Sequence, residues 1–551
     1  MLKRSLIAVA LLTPVHGLEA QQRPDAGQQI RQIPPPPIRQ NPAPGLELGR
    51  TAAAPEAIAG GARVRVDRLK ITGQTLFAEA DLIAATRFRP GSDLSLAELR
   101  GVAAQISEHY NSRGYFLAQA YLPAQDVRDG TVAIHVIEGT YGAVGLRNES
   151  GLSSSVASGV LKGLEGGTVA TAGIERRLLL LSDIPGVNVR SVLSPGALVG
   201  TSDLLVHLTP GRRLTGSIEA DNGGNRYTGA YRLGGSAYFN NLTGMGDVAS
   251  LRLMASKGGL LFGRASYQAQ LGNATLGAAV AHVDYELGRE FKNLEARGTA
   301  DIFSVFGAYP LVRSRDTNLY ALGSLDTKLL EDKLGLTDTQ TNRSTRSGTL
   351  GFRGDHHDSV GGWNVFSIGA TVGSLDIETP TLRAEDAATA GRQGGYGKLQ
   401  FSAARLQSLT GPLSLYGAVR GQLAANNLDS SEQMALGGPF GVRAYPEGET
   451  YGDQGYLATL EARLLLPDFS ALPGRLQLIG FIDAGAVTFN KDPWFAGKNS
   501  ARRSGYGAGL TWDNANNFNV TASYARKLGD QEATSAPDRD GRFWLQFVKL
   551  F

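Results

Sequence analysis

"LFGRASYQAQL", Leu261 to Leu271, alternates apolar and polar residues with a period of two. The apolar positions are Leu261, Ala265, Tyr267, Ala269 and Leu271, and the polar positions are Arg264, Ser266, Gln268 and Gln270. Because successive side chains of a strand point to opposite faces, the pattern predicts a strand with one apolar and one wet face. Both a membrane barrel and a soluble sandwich contain such strands.

The same alternation recurs through residues 212–551, for example in "YTGAYRLGGSAYF", Tyr227 to Phe239. This segment can hold about sixteen tilted strands of about ten residues each, with their turns. Every backbone amide in hydrocarbon must be paired, so the sheet has to close on itself. We therefore predict a membrane β-barrel of about 16 antiparallel strands.

Composition excludes several classes of function. The chain has 551 residues, 71 glycines, no cysteine and a formal net charge of +3. Without cysteine it has no disulfide, thiol nucleophile or cysteine-bound zinc. Its basic and acidic residues are nearly balanced, which gives no basic footprint for nucleic acid, and we expect no nucleic-acid partner.

The N-terminus predicts export. Lys3 and Arg4 precede the apolar run Leu6 to Leu12, and the sequence then becomes small and polar up to Ala20. This order is typical of a secretory signal peptide over residues 1–20. Because no later stretch reaches about 18 apolar residues, a membrane-bound mature protein would have to be a barrel.

Residues 21–62 read as a proline-rich linker. They include "IPPPPIRQNPAPG", whose prolines favour an extended, semi-rigid chain. A short helix could form around Ala26 to Gln32, and the following prolines would end it.

Two small α/β units follow, at residues 63–140 and 141–211. The first reads strand, helix, helix, strand, strand, and its long helix begins with a capping box, Ser95 and Glu98, and ends near Gly114. The second repeats the pattern more faintly. Two such units in tandem offer exposed sheet edges that can accept an extended peptide, although they could also merely support the next domain.

The first unit resembles the first polypeptide-transport-associated (POTRA) domain of two-partner secretion transporters, the TpsB family. The matching positions are Tyr110, Arg113, Gly114, Tyr115, Ala120, Tyr121, Leu122, Pro123, Gln125, Asp126, Gly130, Val136, Ile137, Glu138 and Gly139. The second unit is similar to the second POTRA domain of that family through Asp183, Pro185, Gly186, Pro195, Gly196, Gly200, Thr201 and Ser202. The resemblance implies two POTRA domains, POTRA 1 at 63–140 and POTRA 2 at 141–211, that face the periplasm.

One loop of the barrel region carries a prominent charge. "GGPFGVRAYPEGE", Gly437 to Glu449, places Arg443 among glycines and prolines. Downstream, "LQLIGFIDAGAV" alternates so that Asp483 points into the barrel if the opposite face meets lipid. An aspartate there needs water or a partner, and a loop folded into the lumen could supply Arg443.

Family resemblance implies the same pair. Val442, Arg443, Ala444 and Tyr445 resemble the V-R-G-Y signature at the tip of the sixth extracellular loop, and Phe481, Asp483 and Gly485 resemble the F-x-D-x-G signature of a barrel strand. In that family the loop arginine reaches the strand aspartate. Here Ala444 replaces the signature glycine, which makes a glycine-specific backbone conformation less accessible. The alternative is an ordinary glycine-rich loop over a hydrated aspartate.

The chain ends in "RFWLQFVKLF", with Phe543, Leu545, Phe547 and Phe551 on one face. This ending resembles the C-terminal signal of outer-membrane barrels, in which the last residue, here Phe551, is aromatic. It implies contact with outer-membrane lipid and with the barrel assembly machinery during biogenesis.

Other motifs favour no chemistry. "RGDHHDS", Arg353 to Ser359, reads as a turn between strands, and its adjacent histidines make a poor metal site because neighbouring side chains of an extended chain diverge. We find neither a hydrolase triad nor a phosphate-binding glycine loop. We predict no catalytic residue, no cofactor and no metal.

The combined prediction is an outer-membrane transporter that binds a large, secreted TpsA-type exoprotein through its POTRA domains and exports it unfolded through the barrel. Two alternatives remain: a factor that assembles other barrels, and a small-solute porin or receptor. The sequence does not identify the cargo, and the proline run leaves the presence of an N-terminal plug helix open.

Overall fold

The computed structural model describes residues 23–37, 62–469, 472–515 and 517–551 in full, and residues 45–48 by their backbone. The predicted signal peptide, 1–20, lies outside the described residues.

The predicted linker contains two short elements, α1 (Ala26–Arg31) and β1 (Gly45–Leu48). The side chain of Asp25 caps α1 by accepting a hydrogen bond from the backbone N–H of Gln28. β1 runs parallel to residues 190–193 of the second α/β unit and forms the edge of its sheet. Part of the linker is therefore incorporated into a folded unit.

The first α/β unit differs from the predicted order, strand, helix, helix, strand, strand, in two places: it begins with two strands, and a further strand that pairs with the first of them lies between the helices. Its elements are β2 (Arg63–Val66), β3 (Arg68–Thr72), α2 (Glu79–Ala84), β4 (Ser92–Ser95), α3 (Leu96–Asn111), β5 (Gln119–Tyr121) and β6 (Thr131–Ile137). β6 lies between β3 and β5, while β2 pairs with β4. The capping box of Ser95 and Glu98 is formed, and Gly114 adopts a left-handed φ of 87° just after α3. The apolar face of α3, including Ile106 and Tyr110, packs on this sheet.

The second unit comprises β7 (Thr140–Asn148), α4 (Ser154–Leu161), α5 (Thr171–Ser182), β8 (Val187–Pro195) and β9 (Thr201–Pro210). Its sheet has the order β1-β8-β9-β7. Alternate residues of β8 and β9, such as Val189 and Val206, face a core shared with α4 and α5. None of the helices in the described part of the chain is long and apolar enough to cross a membrane.

The remaining residues form the barrel and its loops. In chain order these elements are β10 (Leu214–Asp221), β11 (Arg232–Asn240), β12 (Val248–Ser256), β13 (Leu260–Leu271), β14 (Ala274–Glu286), β15 (Ala296–Arg313), β16 (Thr317–Leu334), β17 (Thr339–His357), β18 (Gly362–Ile377), α6 (Pro380–Ala388), β19 (Gly394–Thr410), β20 (Leu413–Ala424), β21 (Met434–Ala435), β22 (Tyr451–Gly452), β23 (Gln454–Leu465), β24 (Arg475–Thr488), β25 (Ser500–Asn514), β26 (Phe518–Lys527) and β27 (Gly541–Leu550). Short 3-10 helices occupy Arg289–Leu294, Gly335–Thr337 and Ser430–Glu432.

Within the described residues, β10 to β20 and β23 to β27 close into a barrel of sixteen antiparallel strands, which confirms the predicted fold. Closure is made by β10 and β27, from Ser217 opposite Leu550 to Asp221 opposite Gln546. The outer wall exposes apolar side chains such as Leu261 and Ile482, while Asp483, next in sequence, is buried inside. This is the alternation expected when lipid lies outside and polar groups line the lumen.

Two predicted boundaries were wrong. Strand β17 continues through His357, so the turn begins at Asp358, because this strand extends alongside the equally long β16. Residues 227–231, predicted as strand, form a loop whose Tyr227 turns into the lumen and is buried beside α1.

The second α/β unit docks on one part of the barrel rim. The guanidinium of Arg313, at the end of β15, donates two hydrogen bonds of 2.7 Å to the carboxylate of Asp183, which follows α5. Arg176 of α5 donates to the backbone carbonyls of Pro310 and Leu311. The second unit thus joins the barrel on the side where β10 begins and β27 ends.

Candidate functional site in the barrel lumen

The loop between β20 and β23, residues 425–453, folds into the lumen. It is the sixth loop on the side away from the α/β units, after those that follow β10, β12, β14, β16 and β18. Its apolar residues Leu436, Val442 and Tyr445 are fully buried and pack with Phe481 of the wall. A loop with its own buried contacts to the wall is held in one position rather than lying freely in the channel.

Arg443 of this inward loop makes a bidentate contact with Asp483 of β24. Its Nη2 lies 2.8 Å from Oδ1 and its Nε lies 2.8 Å from Oδ2, and its backbone N–H also donates to Oδ2. Thr459, opposite Asp483 in β23, donates a further hydrogen bond to Oδ1. The Asp483 side chain is 0% exposed, so a charge-assisted pair of this geometry satisfies a carboxylate that would otherwise be costly to bury.

Sequence reasoning missed a second carboxylate on the same arginine. Glu461 of β23 lies 2.8 Å from Nη1 of Arg443 and also binds Arg463 at 2.6 Å. The guanidinium carbon of Arg443 lies 3.4 Å from the centre of the Phe481 ring, which adds a cation–π contact. The signal was available in the sequence, because Glu461 stands two residues after Thr459 and so shares its face of the strand.

The loop residues Ala444 and Leu436 pack closely against two glycines of the barrel wall, Gly505 and Gly485. Ala444 is buried, and it is not among the described residues with positive φ, so its conformation does not require glycine. Its side chain faces Gly505, where an added Cβ would lie only 2.4 Å from the Cβ of Ala444. An added Cβ at Gly485 would lie 2.4 Å from the side chain of Leu436. The wall therefore provides space for the alanine of the loop.

The pair also reaches the closing strand. The indole Nε1 of Trp544, in β27, donates a 2.7 Å hydrogen bond to the backbone carbonyl of Arg443. At the end of the same strand, Phe551 exchanges two backbone hydrogen bonds with Gly216. The tip of the inward loop thus contacts the strand that closes the barrel.

A second polar cluster holds α1 inside the lumen. Arg343 of β17 lies 3.0 Å from Asp25, 2.9 Å from Asp332 and 2.7 Å from Asp429. Asp332 also accepts hydrogen bonds from the backbone N–H of Ala26 and from the Tyr285 hydroxyl. Asp429 belongs to the inward loop, so one arginine joins the helix, the loop and the wall.

The predicted POTRA 1 residues do not form one site. Glu138 is buried and accepts hydrogen bonds from the backbone N–H groups of Thr75 and Leu76 and from the hydroxyls of Thr75 and Tyr110. Burial alone would raise the pKa of Glu138, but these donors outweigh it and hold the pKa below its ordinary value. Glu138 is therefore a structural anchor of the first unit.

The other POTRA 1 residues lie in two places. Gly114 is at the junction with the second unit, where its carbonyl accepts hydrogen bonds from Thr171, and Gly139 accepts one there from Val169. The guanidinium of Arg113 and the ring of Tyr115 both pack on Phe77. Tyr121 is exposed on the edge strand β5, and Pro123 follows that strand.

The described residues contain no group of three or more His, Asp or Glu side chains that could hold a metal ion. The buried lumen charges named above are paired with one another instead.

A closed barrel with two N-terminal α/β units and an inward loop pinned to the wall defines an outer-membrane protein transporter. The family model for a ShlB-type POTRA domain matches residues 64–139, and the model for the haemolysin secretion/activation protein ShlB/FhaC/HecB matches residues 200–512. The chain belongs to this family of two-partner secretion transporters.

Individual relatives agree with this assignment. The heme/hemopexin transporter protein HuxB of Haemophilus influenzae Rd is 29% identical over 97% of this chain and 96% of its own length. A second HuxB from Haemophilus influenzae is 31% identical over 84% of this chain and 82% of its length. The solved structure of CdiB from Escherichia coli superposes with a TM-score of 0.72 at 22% identity and covers 90% of this chain and 93% of that chain, which shows a common fold.

Proposed function

We propose that this transporter captures a TpsA-type exoprotein on its POTRA units in the periplasm and passes it, unfolded, through the barrel, with the inward loop acting as a gate. The observation that carries the proposal is the buried pair of Arg443 and Asp483, which pins the tip of a loop across the lumen. A channel for an extended polypeptide must be closed at rest, and a loop that lies in the lumen with its tip held by a buried charged pair can do this.

The sheet of POTRA 2 supports capture by strand addition. Its strand β8 accepts β1 as a parallel neighbour over four residue pairs, from Gly45 opposite Arg190 to Leu48 opposite Leu193. An extended exoprotein segment can use the same backbone hydrogen bonds. Capture at β8 then requires β1 to leave, whereas the edge strand β5 of POTRA 1 has no described neighbour on its outer side.

The placement in the cell follows from the same layout. The second α/β unit, the start of β10 and the C-terminal Phe551 lie on one side of the barrel, and the inward loop enters from the other. We assign the first side to the periplasm. Outer-membrane lipid then contacts the apolar outer wall, and the barrel assembly machinery reads the aromatic C-terminus during biogenesis.

The gating role is tested by Arg443→Ala in a secretion assay. We expect secretion of the exoprotein to fall at least about tenfold, because two carboxylates, Asp483 and Glu461, lose their shared partner. The matched control is Arg475→Ala, which removes an exposed ion pair with Asp513 at the other end of β24. Normal secretion by Arg443→Ala, with a folded barrel in the membrane, would exclude the gate.

The cargo is identified by mass spectrometry of proteins released by cells with and without this gene. Loss of one large secreted protein, with an unchanged outer-membrane profile, is the expected result. A broad decrease of other barrels would favour an assembly factor instead, and no change in either fraction would favour a porin.

A further inference from the structure

The inward loop carries a further buried carboxylate, Glu449, that the gate described above does not use. Glu449 lies six positions after Arg443, and its side chain is 0% exposed. Its Oε1 accepts hydrogen bonds of 3.0 and 2.9 Å from Nε and Nη2 of Arg503, a residue of β25 whose side chain is 1% exposed. Breaking a fully buried, charge-assisted pair by removing one partner is strongly destabilising, because the other charge stays buried without compensation.

Glu449 also binds a second loop. Its carboxylate accepts hydrogen bonds of 3.1 Å from the backbone N–H groups of Thr534 and Ser535 and from the Ser535 hydroxyl. These residues belong to the loop of residues 528–540, which leads into the closing strand β27. Tyr445 of the inward loop donates its hydroxyl to the carbonyl of Gln531 in the same loop. One carboxylate therefore joins two loops and the barrel wall.

The order of the charges on the wall, Asp483 and then Arg503, matches only one chain direction of the inward loop. Arg503 pairs with Gly485 across β24 and β25, two residues beyond Asp483 on the same face. The wall thus presents a carboxylate and a guanidinium side by side, and the loop presents Arg443 and Glu449 in the complementary order. A loop seated in the reverse direction would bring like charges together in a buried place, which is strongly unfavourable.

We propose that Glu449 and Arg503 form a second lock, which positions residues 446–453 of the inward loop, the outer limb, and fastens them to residues 528–540 independently of Arg443. The proposal rests on the gating role of the loop given above, and it adds that the gate has two separately held parts. Breaking the first lock frees the tip of the loop, whereas the outer limb stays on the wall until the second lock breaks. Glu449 and Arg503 are positioning residues, because they act by holding the loop.

The test uses a single thiol, because the chain has no cysteine of its own. Ala501 of β25 is 1% exposed, stands two residues before Arg503 and lies opposite Val487. Gly452 of the inward loop packs on Val487, since an added Cβ at Gly452 would lie 2.8 Å from the Cβ of Val487. In full-length Ala501→Cys protein on intact cells, a membrane-impermeant maleimide reaches the thiol only when the outer limb lifts. The labelling rate therefore measures opening of this limb without reference to secretion.

We expect slow labelling of Ala501→Cys alone and labelling at least about tenfold faster when Glu449→Gln or Arg503→Gln is added. The double variant should label more slowly than the product of the two single effects, because two neutral amides can hydrogen-bond to each other. Arg443→Ala should change the rate less than about threefold, since the second lock remains. Arg526→Gln, which removes an exposed pair with Asp540, is the matched control and should change nothing.

Two results would overturn the second lock: unchanged labelling in both Glu449→Gln and Arg503→Gln, or full labelling in Arg443→Ala alone. Heat-modifiable migration of the barrel shows that each variant is folded. If a lock variant fails to assemble, Ser535→Ala replaces it, because Ser535 lies in a loop and not in the barrel wall. We expect Ser535→Ala to increase the labelling rate of Ala501→Cys about threefold. If Arg443→Ala secretes normally while labelling follows these expectations, the proposed gate fails and the second lock stands.

Discussion

Replacing Arg343 by glutamine should release α1 from the lumen and open the channel. In the resting structure Arg343 neutralises three carboxylates, Asp25 of the helix cap, Asp332 of the wall and Asp429 of the inward loop. Asp332 and Asp429 stay in the barrel whether or not the helix leaves. Of the three ion pairs of Arg343, only the one with Asp25 is therefore broken when the helix leaves.

The size of the effect follows from these contacts. Two unit charges about 4 Å apart at an effective dielectric constant of about 20 interact by about 4 kcal/mol. Without Arg343, Asp25 loses an attraction of this kind and faces the two other carboxylates. Allowing for water that enters the open site, we expect the plugged state to lose about 2–4 kcal/mol, a shift of about 30- to 1,000-fold towards the open channel.

Single-channel conductance in planar bilayers measures this shift directly, and sensitivity of cells to a large hydrophilic antibiotic measures it in the membrane. Asp25→Asn in the Arg343→Gln background should partly close the channel again, because it removes the repulsion while its side-chain oxygen can still cap α1. The control is Arg353→Gln, on the same strand, whose guanidinium packs over Tyr320. If the folded Arg343→Gln barrel has the same conductance as the native protein, the proposed role of Arg343 in holding α1 is refuted.

Three further predictions concern other parts of the chain. Glu138→Gln should lower the free energy of unfolding of POTRA 1 by about 1–3 kcal/mol, measured by hydrogen exchange of α3. Because folding lowers the pKa of Glu138, its carboxylate stabilises the native protein above the ordinary glutamate range, and this stabilisation is lost as the pH falls through the lowered pKa. The variant should lack this acid-dependent loss of stability. Ala444→Gly should secrete within about twofold of the native protein, whereas Gly505→Val should impair secretion through overlap costing about 1–3 kcal/mol. Asp183→Asn should speed hydrogen exchange at the turn after Arg313 by only about two- to fivefold, because Asp183 is 37% exposed.

The barrel could be predicted because its wall repeats a simple rule. Each strand must present apolar groups to lipid and pair all its amides, so the period of two persists wherever the wall does. The contact of Arg443 with Asp483 could be predicted from the sequence for a related reason. A charge on the inner face of a predicted wall strand needs a partner, and a glycine-rich loop with one arginine is a candidate that the sequence displays.

The sequence predicted a short helix around Ala26 to Gln32, where α1 lies, but the position of this helix inside the lumen could be established only with the structure. The helix has six residues, and its buried side includes Gly27, Gln28 and Gln29, so it lacks the apolar stripe that marks a packed helix. Its partners are remote, for example Asp332, which is 306 positions from Ala26. The sequence of the four-residue β1 does not predict a strand either, because backbone pairing with β8 requires no particular side-chain pattern.

The polar character of these contacts bears on how the channel works. The main chain beyond α1 is held by Arg252, which donates to the carbonyl of Pro34, and by Arg232, which donates to that of Gln32. When a segment leaves a wet lumen, its main-chain polar groups form hydrogen bonds with water instead. The net free energy by which such hydrogen bonds hold the segment is therefore smaller than the free energy gained by burying the same area of apolar surface. Besides the apolar contacts of Ala26, Ile30 and Ile33, the helix is held by an ion cluster and main-chain hydrogen bonds, so it is seated specifically while part of its binding free energy is recovered by hydration when it leaves. Since most of its specificity lies in Asp25 and Arg343, that pair is the point at which a small change should have the largest effect on opening.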